Sequence, residues 1–319
     1  MLSNYPDGLF PNAGYWTSVG RQMAGRFTGA VPGGIWIEGL YAGNGATELS
    51  FPSPGRSYAH VMFSDLDYNE IHLNEFDNAG LRVWLQVEPG AADVDSLIEL
   101  VLQRYKHHTC VAGFGIDAEW YDPEASSGGR RITDAEARQW ELHVKSINPA
   151  YSLFLKHWDG DWMPRTYRGS IIFVADSQGF SSLNEMVGVF SEWGKPFAPN
   201  DVAFQFGYEP DSSWWTRLVD PPKAIGDAIS SSVGNAKGLF WVDFTITQVF
   251  PLPTAGVVTT VAVTAETTHT TSTQMPATIE ESRIEVPQEV TLVLLLVVAV
   301  LVGLFVVLMF RRFVSAGKS

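Results

Sequence analysis

Eight short apolar runs, each ending in polar or acidic residues and mostly separated by stretches of helical periodicity, constrain this chain more than any other feature. They are Ile35–Glu38, His60–Asp65, Arg82–Glu88, Val111–Glu119, Ser152–His157, Ser170–Asp176, Val202–Phe206 and Lys237–Asp243. Between them, Asp93–His107 places Val94, Leu97, Ile98, Val101 and Leu102 on one helical face, and Thr133–Ile147 opens with the capping box Thr133-Asp-Ala-Glu136. Ser182–Trp193 and Pro222–Ser231 also read as helices, Asn69–Asn78 as a shorter one, and Trp16–Arg26 as a helix before the first run. This order predicts an α/β domain over residues 1–250, a (β/α)8 barrel of the TIM type. The main alternative is an open doubly wound sheet, but no glycine-rich phosphate loop follows any run.

In such a barrel, chemistry gathers where the strands end. The fourth run, Val111-Ala-Gly-Phe-Gly-Ile-Asp-Ala-Glu-Trp-Tyr121, is the sharpest candidate. Alternation sends Phe114, Ile116 and Ala118 to one face and Gly113, Gly115, Asp117 and Glu119 to the other, so two carboxylates share a face. Their mutual repulsion would raise one pKa, and Glu119, further along, is the expected general acid. In the third run Trp84, Gln86 and Glu88 are expected inside. The same reading turns Glu38 inward from the first run and Trp241 with Asp243 inward from the eighth. Asp176, Gln205 and Tyr208 complete the candidate substrate-binding set, while the second, fifth and sixth runs, with Asp65, Asp67, Lys156 and His157, show no clear phase. Acids and amides floored with aromatic rings suit a sugar, the rings for its faces and the polar groups for its hydroxyls.

The segment Gly113-Phe-Gly-Ile-Asp117-Ala-Glu119-Trp120-Tyr121, fourth of eight runs, resembles the fourth-strand motif of family-18 chitinases and related endo-N-acetylglucosaminidases, where Asp-x-Glu ends the strand. Trp241 at the eighth strand end is similar as well. The resemblance implies that Glu119 is the acid and that Asp117 orients a substrate N-acetyl group which itself attacks the anomeric carbon. Two further acids of the family's longer motif are Ala112 and Gly115 here.

The expected function is a membrane-anchored glycoside hydrolase acting on a polysaccharide or glycoconjugate. Its alternative is a surface barrel that binds carbohydrate or serves as structure without cleaving, which the missing upstream acids favour. Metal-dependent chemistry is a third reading, but His60, His107, His108, His143 and His157 are scattered, with no His-x-His or His-Glu-x-x-His, so neither a metal nor another cofactor is expected. The formal net charge of −14, without a Lys/Arg cluster before the C-terminus, argues against nucleic acid. Cys110 is the one cysteine, which excludes an internal disulfide framework.

Beyond the domain, residues 251–289 are rich in Thr and Pro and read as an extended, disordered stalk. Val290–Phe310 is uncharged and dominated by Leu and Val, long enough to cross a bilayer as a helix of about 20 residues. Arg311, Arg312 and Lys318 in the 311–319 tail predict a cytoplasmic C-terminus and an extracellular N-terminal domain. Met1–Phe10 has no signal-peptide pattern. That leaves an upstream start, which is the expectation, or a tail-anchored cytosolic domain.

Overall fold

A computed structural model describes residues 10–125 and 128–252. The stalk from residue 253, the apolar segment 290–310 and the basic tail lie outside the described residues. Among those described, no helix is long and apolar enough to cross a membrane.

All eight apolar runs form strands. In chain order the elements are α1 (Ala13–Ala24), β1 (Gly33–Tyr41), β2 (Thr47–Leu49), β3 (Val61–Phe63), α2 (Glu70–Ala79), β4 (Arg82–Val87), α3 (Val94–Tyr105) and β5 (Val111–Asp117). They continue with α4 (Asp134–Ile147), β6 (Ser152–Lys156), β7 (Ile172–Ala175), α5 (Leu183–Gly194), β8 (Val202–Phe206), the short α6 (Ser212–Trp215), α7 (Pro221–Ser232), β9 (Ala236–Trp241) and the short α8 (Ile246–Val249). Apart from α2, the long helices begin where the sequence supplies a cap. Asn12, Asp93, Ser182 and Asp220 each accept a backbone N–H of the first turn, and Thr133 with Glu136 forms the reciprocal box. Each such cap contributes about 1 kcal/mol.

The nine strands form one sheet in the order β3-β2-β1-β4-β5-β6-β7-β8-β9. From β1 through β4 to β9 every pairing is parallel and every new strand adds to the same side, so the sheet winds in one direction. The expected eightfold ring differs from this sheet in two respects. The second run, β3, does not stand between its sequence neighbours: β1 pairs directly with β4, and β3 hangs on β2, which pairs antiparallel with the end of β1. Among the described residues, β9 pairs as a strand with β8 alone. At this seam β1 and β9 line a cavity of about 800 Å³ together with Trp16 and Phe10, and the Tyr15 hydroxyl of α1 donates to the Phe250 carbonyl at 2.7 Å.

The sheet nevertheless curls round a common inner cluster. Phe154, Val174 and Ala203 pack with Ile35, Trp84, Ile172 and Phe240, side chains from β1, β4, β6, β7, β8 and β9. The strand between Trp84 and Phe154 contributes glycines. A Cβ on Gly115 would lie 2.0 Å from the Phe154 ring, and one on Gly113 would lie 1.9 Å from the Ser152 carbonyl oxygen. Trp84 crosses Gly113 to donate from Nε1 to Ser152 Oγ at 2.8 Å. Large side chains on two strands fill the space that the middle strand leaves open. Phe114 and Ile116, on the opposite face of β5, join the outer core beneath the helices.

Candidate active site

The inner face of β5 delivers Asp117 to the strand end, where it meets β6 and β7. Lys156 Nζ lies 2.7 Å from Asp117 Oδ2 and 3.3 Å from Asp176 Oδ2, and all three side chains are buried. The strand stops at Asp117, so Glu119 stands on a turn of 3₁₀ helix, Ala118–Trp120, and is not further along the strand as alternation implied. Asp117 Oδ1 caps that turn by accepting the Glu119 N–H at 3.4 Å. The turn keeps Glu119 on the same side: carboxylate oxygens of Asp117, Glu119 and Asp176 all lie within 4.8 Å of one another.

Three carboxylates thus face one ammonium. Burial raises Glu119 to about 7, and the charges of Asp117 and Asp176 add to the effect. Asp117 is raised by burial to about 6, with Lys156 opposing and Asp176 adding. Burial also works against the Lys156 ammonium, but Asp117 and Asp176 outweigh it and hold its pKa well above the usual range. Asp176 Oδ1 has no hydrogen-bond partner.

Around this cluster stand Glu88, Gln86, Gln205 and Tyr208. Glu88 accepts the Tyr41 N–H at 2.9 Å, and burial, then Asp117, raises it to about 7. Gln86 and Gln205 reach the inner end of the seam cavity beside Lys156. Gln205 Nε2 donates to the Tyr208 hydroxyl at 2.9 Å, and burial, then Asp176, raises the Tyr208 phenol above its ordinary value. Aromatic faces border the strand ends. Tyr41 stacks on Trp120 with centroids 5.3 Å apart, His157 stacks on Trp162, and Trp158 and Phe244 are about half exposed, at 52% and 53%.

Of the expected set, Asp117, Glu119, Glu88, Gln86, Asp176, Gln205 and Tyr208 come together, while Glu38 and Trp241 turn to the opposite face. Glu38 is fully buried on the helix side of β1, where Asn69 Nδ2 donates to its Oε2 at 2.6 Å and the Trp36 indole donates to the same Asn69 at 2.9 Å. The register with β4 sets Ile35 beside Trp84 and Ile37 beside Gln86, so the inner face of β1 is the opposite of the expected one. The β9 phase is inverted in the same way. Phe240 lies inside, next to Gln205 in register, and Trp241 packs outward, edge-on to Trp215 at 5.2 Å with its Nε1 donating to Thr245 Oγ1. Asp243 follows on a 3₁₀ turn and borders the seam cavity. The residue whose role alternation left open is Lys156. With Leu153 and Leu155 outward in the core, Phe154 and Lys156 must point in, a signal already present in Ser-Leu-Phe-Leu-Lys.

No family model matches the chain, and no curated protein does. Among solved structures, a protein of Bacteroides thetaiotaomicron VPI-5482 assigned as an alpha-L-fucosidase is similar at 13% identity and a TM-score of 0.31. That likeness covers 69% of this chain and 66% of that one, just under two thirds of its length. At this TM-score it is too slight to carry an argument about fold or activity.

Proposed function

We propose that the domain is a glycoside hydrolase whose barrel-like parallel sheet presents Glu119 as general acid to a polysaccharide or glycoconjugate. The observation that carries this reading is the excess of acid at one strand-end cluster: Asp117, Glu119 and Asp176 around the single Lys156. One proton must be shared there at neutral pH. Glu119, which the lysine does not bridge and whose pKa is about 7, is the group to carry it. Either Asp176 meets the anomeric carbon itself or Asp117 orients a substrate N-acetyl group that does. Oxygens within 4.8 Å fit the close carboxylate spacing, about 5 Å, of retaining enzymes, and both routes retain the anomeric configuration. Trp120, Trp158 and Phe244 would stack on sugar rings. The Lys156–Asp117 bridge, which neutralises one acid, favours the second reading of a barrel that binds glycan without cleaving it.

The apolar segment 290–310 and Arg311–Arg312 support a single-pass anchor with the domain outside the cell. Protease protection of the basic tail in sealed vesicles tests that orientation.

The deciding experiment for the site offers N-acetylated and non-acetylated oligosaccharides to the full chain in mild detergent, beside Glu119→Gln. The hydrolase reading expects kcat to fall about 10²- to 10⁴-fold in the variant with glycan binding kept. Binding without turnover in both proteins leaves the carbohydrate-binding reading, and neither binding nor turnover removes both.

A further inference from the structure

A second convergence of side chains lies on the outer layer. Glu70 opens α2, and His107 and His108 form the turn between α3 and β5. His108 Nε2 is 3.2 Å from Glu70 Oε2, His107 Nε2 is 3.4 Å from Glu70 Oε1, and the two imidazole centroids are 4.1 Å apart. One ligand atom from each of the three residues fits within 4.8 Å.

The other nitrogen of each ring is already engaged. His107 Nδ1 faces the Arg104 carbonyl at 3.0 Å, and His108 Nδ1 faces Asp77 Oδ2 at 2.7 Å. A neutral imidazole carries one N–H, and an acceptor opposite Nδ1 draws it there. With the rings neutral and in this tautomer, both Nε2 lone pairs point at the Glu70 carboxylate. A cation is the species that such a set takes. Ligands about 2.0–2.1 Å from a tetrahedral zinc stand about 3.3–3.4 Å from one another, inside the 4.8 Å that bounds one ligand atom from each of the three residues. Rings oriented through Nδ1 by a carboxylate and a backbone carbonyl are how histidine ligands are usually held.

We propose that Glu70, His107 and His108 bind one Zn²⁺ ion, with water free to take the fourth position. Two imidazoles and one carboxylate favour zinc over magnesium or calcium, which take oxygen ligands. The neighbouring set Asp77, His108 and Cys110 does not compete. Cys110 donates its thiol hydrogen to the Leu73 carbonyl, and Asp77 Oδ1 accepts from Thr109 and from the Cys110 N–H. Side-chain exposures of 57% for His107 and 39% for Glu70 leave an open approach. The ion would tie α2 to the turn that leads into β5, at the strand end opposite Asp117, roughly 20 Å away along seven residues. It is therefore a structural clip apart from the proposed sugar chemistry.

The test titrates the full, chelator-stripped chain in mild detergent with Zn²⁺ by calorimetry, and with Co²⁺ by its tetrahedral visible absorption. Wild type and Glu119→Gln should each take up one ion per chain and gain in Tm. His107→Ala, an exposed position, and Glu70→Gln should each lose at least about tenfold in affinity, with metal-free Tm and circular dichroism unchanged. No uptake by the wild type, or uptake that His107→Ala and Glu70→Gln leave intact, overturns the proposal and leaves an imidazolium–carboxylate bridge. Uptake lost in Glu119→Gln places the ion at the strand ends and overturns it equally.

Discussion

Two of the domain's acid networks, one at the ends of β5–β7 and one behind β1, differ in charge balance. Behind β1, Asp67 is matched by Arg104 Nε at 2.7 Å, and Tyr105 and the Asn69 N–H add further donors. Burial first, then the Asp67 charge, pushes Glu38 well above the usual carboxylate range, and its Oε2 accepts from the Asn69 amide. Every charge there has its counterpart. At the strand ends three carboxylates share one lysine, and burial together with the surplus charge raises Glu119 to about 7. Burial is common to both networks. The unbalanced charge is the difference, and at the strand ends it adds to burial in raising Glu119.

Removing the cation from each network sharpens that contrast most. Lys156→Met would leave Asp117 and Asp176 buried and facing each other, and denaturant unfolding at pH 7 should show a loss of about 3–5 kcal/mol. Arg104→Met should cost about 1 kcal/mol or less, because that guanidinium is 33% exposed and Asp67 keeps its other donors. Equal losses would break the comparison.

A further effect is expected from pH. Glu119 and Glu88 have folded pKa values of about 7, above their ordinary 4.5, so the folded chain holds more protons than the unfolded one between those limits. The stability they contribute is complete below pH 4.5 and is lost as pH rises through 7. Denaturation midpoints across that window should fall with pH, and fall less steeply in Glu119→Gln. An unchanged slope would place the surplus proton elsewhere. The smallest effect is expected at Glu38→Gln, a near-isosteric copy of a group whose ionisation burial already disfavours. Stability should stay within about 1 kcal/mol of wild type, with glycan turnover or binding unaltered. A loss of activity there would return Glu38 to the functional site.

The legibility of each strand followed from its composition. In β4, polar Gln86 alternates with Val83, Leu85 and Val87, so the inner face could be read from the chain. In β5 the glycines stand on the same face as Asp117; the Phe154 ring occupies the space over Gly115, and Gly113 lies against the Ser152 backbone. In β9, Leu239, Phe240 and Trp241 are apolar throughout, and a parallel strand covered on both sides accepts large rings on either face. The same holds for Ile35, Trp36 and Ile37 in β1, which is why Glu38 and Trp241 were expected on the wrong side. The short β2 carries too few residues for any periodicity.

The sequence by itself determined the order of strands and helices, the helix caps and the pairing of Asp117 with Glu119, because these depend on residues within a turn or a strand of one another. Only the tertiary structure decided which acids meet Lys156, that the ladder stops at β9, and that Glu70 reaches His107 and His108. Those contacts join residues tens of positions apart, and register between strands, with the packing of helices over them, chooses among faces that the local pattern leaves equivalent.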